Sequence, residues 1–292
     1  MRLLTLARLA ALVSCVGLGC TRGAQSTGGI EVRGEQAATA RPSSANVSEP
    51  GDRAPAKPAA ASACTSNAAQ PNHGAVLELF TSEGCSSCPR ADALLADIVA
   101  GAERDRSPIY ALAFHVDYWD QLGWKDAFST RQYSERQRWY AERTAASGVY
   151  TPELVIGGSE FFVGSDRKQA RSAIERALAV PWDAAVTLSS DAQGRVAYQV
   201  RGGPRPAHLN LALVQRHAVS DVASGENRGT TLNHANVVRE FQRMDLGRDT
   251  TGNWLPRLPT AQPLQVIAYL QDDRSLEIVS AAAVTVPCAV AP

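Results

Sequence analysis

The chain has 292 residues, with 29 Lys+Arg against 29 Asp+Glu, 45% hydrophobic residues and 6% aromatics. A formal net charge of zero offers no phosphate-neutralising face, so no nucleic-acid partner is expected. Beyond the first twenty residues no run approaches the roughly 18 consecutive apolar residues that cross a bilayer as a helix.

Residues 1–20 read as a signal peptide. Arg2 and Arg8 precede the apolar run LAALVSCVGLG, which suits a signal h-region and is too short for a span. Export to the periplasm or cell envelope is expected. Gly19-Cys20 resembles a bacterial lipoprotein processing site, with Cys20 the preferred acylated residue and Cys15, which has a shorter apolar run before it, the second candidate. A plain secretory signal without lipid is the other reading, so contact with a membrane is expected only through such an anchor. Residues 21–73 are rich in Ala, Ser, Pro and Gly, cannot bury enough surface to offset ordering entropy, and read as a tether.

From 74 to 181 strand-like runs alternate with helical stretches: AVLELF (75–80), a helix beginning at the cysteine motif, IYALAFHV (109–116), a helix over 130–148 that stops at Gly148, ELVIGG (153–158), FFVG (161–164), and a helix over 166–180 capped by Asp166. That order predicts an α/β domain with a crossover and a closing hairpin. After Pro181 the helical period gives way to short alternating runs separated by DAQGR, RGGPRP and QDDRS. Residues 182–292 therefore read as an all-β, sandwich-like domain, with a single continuous α+β domain as the alternative reading.

The chemistry centres on FTSEGCSSCPRAD (80–92). A strand, a short loop and a helix starting at Ser86 would put Cys85 at the positive end of a helix dipole, where its thiolate is favoured, with Cys88 one turn on as resolving thiol. Pro89 suits a first helical turn. A metal half-site or a fixed structural disulfide are the competing readings. Far along the chain, Thr151-Pro152 immediately precedes a strand in GVYTPELVIGGSEFFVG.

These two segments together resemble the thioredoxin and glutaredoxin superfamily. ELFTSEGCSSCPRADALLADI, LAFHVDYWDQLGWKDAFST and GVYTPELVIGGSEFFVGSD resemble more narrowly the bacterial secreted thioredoxin-like family of domain of unknown function 1223, with SGENRGTTLNHANVVRE a looser extension. The resemblance implies a thioredoxin-like, glutaredoxin-like core over 74–181 and a cis Pro152 that, with Thr151, faces the cysteine pair. Gly84-Cys85-Ser86-Ser87-Cys88 departs from the usual thioredoxin dipeptide, so the redox direction stays open.

HVDYWDQLGWKD (115–126) is longer than the usual connection. Trp119, Trp124, Asp117, Asp120 and Asp126 form a candidate substrate wall or an ordinary core cover. His115 is a candidate base or ligand beside the competing reading of a hydrogen-bonded strand-end histidine. Glu83 and Arg90 are candidate tuners of the Cys85 pKa, or solvated loop charges. Cys64 and Cys288 flank the folded body and are a candidate structural disulfide, with a free Cys64 in the linker as the alternative.

The expected function is a thiol–disulfide oxidoreductase in which Cys85 attacks and Cys88 resolves, with no cofactor beyond its redox-active disulfide. Its expected partners are a disulfide-containing protein or small thiol and a recycling redox partner. The alternatives are a non-catalytic envelope binding module with a fixed Cys85–Cys88 disulfide, and a copper- or zinc-handling protein.

Overall fold

The structure is a computed structural model that describes residues 64–65, 71–144, 148–246, 250–257 and 264–286. Cys15, Cys20 and Cys288 lie outside the described residues. Cys64 lies in a two-residue strand, β1 (Cys64–Thr65), whose side chains are not described.

The unbroken apolar run before the cysteines forms β2 (Ala75–Thr81), buried along its whole length as an interior strand must be. It pairs in parallel with β3 (Ile109–His115) through the crossover helix α1 (Pro89–Asp105). On its other side β2 pairs antiparallel with β4 (Glu153–Ile156), which turns at Gly157 and Gly158, both at positive φ, into the edge strand β5 (Glu160–Val163). Two further helices follow the expected positions. α2 (Arg131–Arg143) is capped by Thr130, and α3 (Arg167–Ala179) by Asp166, whose carboxylate accepts from the Gln169 amide. α2 stops at Arg143, with the Thr144 N–H on the Tyr140 carbonyl, so Gly148 is not its terminus.

Period-2 alternation splits β2 and β3 between two cores. Leu77, Leu79, Ala111 and Ala113 face Leu94, Leu95 and Val99 of α1 and Ala170 and Ala173 of α3. Val76, Phe80, Leu112 and Phe114 face Tyr133 and Tyr140 of α2.

The remaining strands are β6 (Ala184–Ser190), β7 (Val196–Gly202), β8 (Ala207–Asp221), β9 (Thr231–Asp245), β10 (Thr251–Trp254), β11 (Leu264–Asp272) and β12 (Ile278–Val286). They do not form a sandwich of their own. β9 pairs in parallel with β3 at Ala113 and Val237, producing one eight-stranded mixed sheet in the order β12-β11-β8-β9-β3-β2-β4-β5. This overturns the expected fold class of an α/β thioredoxin-like domain followed by an all-β sandwich-like domain, because a single sheet takes strands from both sides of Pro181. The physical reason is visible in β9, where His234, Ala235, Asn236, Val237 and Val238 are consecutively buried. A stretch buried on both faces belongs inside a sheet rather than on a half-solvated one. The second sheet, in the order β1-β6-β7-β10, lays Val186, Leu188, Val196 and Val200 over Leu209, Leu211, Leu213, Val266 and Leu270 of the large one.

One buried ion pair ties the halves together. Arg136 of α2 donates to Glu78 of β2 at 2.6 and 3.0 Å and to Gln271 of β11 at 3.0 Å, while the Tyr269 hydroxyl donates to Glu78 at 2.7 Å. The guanidinium also lies 4.8 Å from the Tyr140 ring centre and 5.1 Å from that of Phe241.

Candidate active site around Cys85 and Cys88

After β2 the chain turns tightly: the Cys85 amide donates to the Ser82 carbonyl at 3.2 Å and the Cys88 amide to the Cys85 carbonyl at 3.1 Å. α1 begins at Pro89, later than the Ser86 start read from the sequence, and Cys88 rather than Cys85 is its N-cap residue. Cys85 therefore sits in the turn leading into the helix, 1% exposed beneath the exposed Ser86 and Ser87, and Cys88 is fully buried. Both are free thiols.

The two sulfurs are chemically unequal. The Cys88 thiol donates to the Cys85 sulfur and, with Ser87 Oγ at 3.2 Å, outweighs the cost of burial, holding Cys85 down at about 5. Burial, reinforced by the Cys85 sulfur and by Asp92, pushes the Cys88 thiol well up. The Thr151 carbonyl lies 3.8 Å from Cys85 Sγ, the Thr151-Pro152 bond is cis, and Pro152 is buried.

The segment after β3 forms a 3-10 turn (Asp117–Leu122) that walls the cysteine loop. Gly84 packs on Trp119 so closely that a Cβ there would lie 3.2 Å from the Trp119 Cβ. The Trp119 indole N–H donates to Thr151 Oγ1 at 2.8 Å, and that of Trp124 to Glu83 Oε2 at 2.7 Å. The acids in this segment do structural work: Asp117 accepts from the Ser134 hydroxyl, and Asp120 accepts from the Ser129 hydroxyl at 2.7 Å. Asp117 thus faces α2 rather than the sulfurs, and Arg90 is exposed on α1.

Behind the cysteines lies a buried polar cluster. His115 Nδ1 is 2.7 Å from Asp126 Oδ2, which also accepts from the Glu83 amide at 2.9 Å. Burial pulls the His115 pKa down, yet the Asp126 carboxylate outweighs it and the net shift is upward. Burial likewise pushes Asp126 up, and His115 with the Glu83 and Phe128 amides brings it below its ordinary value. His234 of β9 places Nε2 3.3 Å from Glu83 Oε1, and its ring centre lies 4.8 Å from that of His115. Against the cost of burial, His234 and Trp124 are among the partners that bring the Glu83 carboxyl below its usual range. Asp92, one turn beyond Cys88 on α1, is 5% exposed and its carboxyl is pushed up by burial. His234 Nδ1 and His115 Nε2 are buried without a hydrogen-bond partner, while His234 Nε2 meets Glu83 Oε1 as an ion-pair contact outside hydrogen-bond geometry.

The loop between β8 and β9 closes the other side. Asn227, 8% exposed, donates both amide hydrogens, to the Glu83 carbonyl at 2.8 Å and the Cys85 carbonyl at 3.0 Å, and the Glu226 carboxylate accepts from the Ser86 amide at 2.9 Å. Sequence reasoning brought Cys85, Cys88, Thr151, Pro152, Glu83, His115, Trp119 and Trp124 to this place. It missed His234, Asp92, Glu226 and Asn227. The segment SGENRGTTLNHANVVRE, which holds three of these four, was the available signal.

No group of three or more His, Cys, Asp or Glu side chains has metal-holding geometry among the described residues.

Fold and site together define a mixed-sheet protein with a buried, electrostatically unequal dithiol at the N-terminus of a crossover helix. The chain belongs to the family described as protein of unknown function (DUF1223), whose pattern matches residues 76–271. It is similar in fold to a crystallographically determined protein from Agrobacterium tumefaciens, with 23% identity, a TM-score of 0.57, and coverage of 74% of this chain and 95% of the other. No curated protein matches.

Proposed function

We propose that the chain is an exported thiol–disulfide oxidoreductase whose dithiol site, though not whose whole fold, resembles that of thioredoxin-like enzymes. The supporting observation is the inequality of the two sulfurs: Cys85 is held as a thiolate near neutral pH while Cys88 beside it keeps its proton.

In the reducing direction the Cys85 thiolate attacks one sulfur of a substrate disulfide. The substrate S–S bond breaks, the departing thiolate takes a proton from water, and Cys85 is left in a mixed disulfide. Cys88 then gives its proton to the Asp92 carboxylate one turn along α1 and attacks Cys85 Sγ. The second substrate thiolate leaves, and the Cys85–Cys88 disulfide holds the oxidised state. Two electrons pass from the dithiol to the substrate, and reversal of the same steps oxidises a dithiol substrate. The burial that raises the Asp92 pKa makes it a better proton acceptor than an exposed carboxylate. The substrate is a protein or small-molecule disulfide, and a separate redox partner restores the starting state. As it stands the Cys85 sulfur is covered, so substrate entry displaces part of the Trp119–Thr151 wall.

The test is reduction of insulin disulfides under excess dithiothreitol, comparing wild type with Cys85→Ser. The reading expects the variant to fall to the uncatalysed rate. Equal rates in the two proteins reject it.

A further inference from the structure

The loop between β8 and β9, residues 222–230, lies far along the sequence from the cysteines, yet it makes three direct hydrogen bonds to their turn. Asn227 spends both of its amide hydrogens on the carbonyls of Glu83 and Cys85, two residues apart in the reactive loop. The Cys85 carbonyl is also the acceptor for the Cys88 amide, so Asn227 and the turn that sets the distance between the two sulfurs share one oxygen. Glu226 covers the Ser86 amide. Ser224 anchors the loop by donating its hydroxyl to the Gly123 carbonyl at 2.5 Å. Gly225, at φ 77°, lies against the Trp124 wall, and a Cβ there would come within 3.0 Å of the Trp124 Cβ.

A buried primary amide with both hydrogens directed at one turn fixes that turn's conformation; its loss takes the side-chain donor from the Glu83 carbonyl and leaves the Cys85 carbonyl with the Cys88 amide alone. The thiolate of Cys85 depends on donors held in place by the same turn, Ser87 Oγ and the Cys88 thiol. We propose that Asn227 is a positioning residue for the reactive cysteine: through the two loop carbonyls it holds the turn that sets Cys85 Sγ against Ser87 Oγ and Cys88, and the Ser224–Asn227 segment is the clamp that delivers it. The proposal rests on Cys85 being the reactive thiol of the oxidoreductase reading, but its test does not require turnover.

The test is the pH profile of iodoacetamide alkylation of the reduced protein, read by mass spectrometry at Cys85, for wild type, Asn227→Ala and the double variant Ser224→Ala/Glu226→Ala. The plateau rate reports access to the sulfur and the midpoint reports thiolate formation. The expected result is a midpoint raised by about half a pH unit or more in Asn227→Ala, equal to roughly threefold slower alkylation below the midpoint at equal plateau. The double variant, altered at exposed or half-exposed positions, shifts the same way by a smaller amount. An unshifted midpoint in folded Asn227→Ala overturns the proposal, and where that variant does not fold, an unshifted midpoint in the double variant does so. A shifted midpoint in a protein that reduces no disulfide supports the clamp and rejects the oxidoreductase reading; an unshifted one in an active protein rejects the clamp alone.

Discussion

Trp119 donates its indole N–H to Thr151 Oγ1 across 2.8 Å, joining the segment that follows β3 to the residue whose carbonyl lies 3.8 Å from the Cys85 sulfur. The bond makes one wall out of two loops beside Cys85, and the proposed oxidoreductase reading has substrate enter there.

Replacing Trp119 by Phe keeps an aromatic ring and removes the donor. One hydrogen bond contributes about 1 kcal/mol, roughly fivefold in an equilibrium constant. Trp119→Phe is expected to lose about that much in urea-denaturation stability and to change the rate of disulfide reduction severalfold. An unchanged rate and stability would separate the wall from the chemistry.

Asp92 gives a signed prediction. Burial raises its pKa above the unfolded value of about 3.9, so between the two pKa values the folded state binds more protons than the unfolded one. Its contribution to stability therefore falls as pH rises from about 4 through the folded pKa. Asp92→Asn is expected to be more stable than wild type at neutral pH, with the gap closing near pH 4. It is also expected to accumulate mixed disulfide, because Cys88 has lost its proton acceptor. Chemical denaturation at a series of pH values, together with gel analysis of trapped adducts, checks both halves.

His115 and Asp126 form a fully buried pair, and removing one partner of such a pair costs on the order of 3–5 kcal/mol. Asp126→Asn is expected to lose stability on that scale. The pH signs follow from the directions. The lowered Asp126 pKa gives stability present above about pH 4 and lost as pH falls through its folded value. The raised His115 pKa gives stability present below about pH 6.5 and lost as pH rises through its folded value. In the variant the alkaline loss should vanish, and its persistence would place the titration elsewhere.

Glu78→Gln supplies the contrast. It breaks the buried pair with Arg136 in the core that joins β2, α2 and β11, at a cost of about 3–5 kcal/mol. Because that core lies among Tyr140, Tyr269 and Gln271 rather than at the sulfurs, the alkylation midpoint of Cys85 is expected to stay in place while thermal stability falls.

Local patterns explain which parts of this molecule were legible in the sequence. The apolar run of β2, the cysteine spacing, Pro89 and the capping Asp166 each act within a few residues, and the structure places strands and helices close to where they were read. His115 was legible as a strand-end histidine with a hydrogen-bond partner. The joining of β9 to β3 was not, since alternation marks a buried face without naming the strand that will lie alongside. The β9 run was read only from Val237, after the buried His234, Ala235 and Asn236. Asn236 sits at φ 52° and spends its amide on the Ala111 carbonyl at 3.0 Å, a non-local bond that leaves no periodic trace. Asp92 looks like an ordinary first-turn helix acid that favours the dipole. Tertiary packing, with α1 against β9, β3 and β2 and with His234, His115 and Thr81 near the carboxyl, turns that acid into a buried one. His234, Glu226 and Asn227 became part of the site through the same long-range pairing.

The central claim is that Cys85 attacks and Cys88 resolves. Its most direct measurement is covalent trapping: Cys88→Ser protein, incubated with a disulfide-bonded protein and quenched in acid, is analysed by non-reducing mass spectrometry. A stable mixed disulfide through Cys85 is expected to form in Cys88→Ser and to be absent from Cys85→Ser. A folded Cys88→Ser protein whose Cys85 is alkylated by iodoacetamide yet forms no mixed disulfide would contradict it.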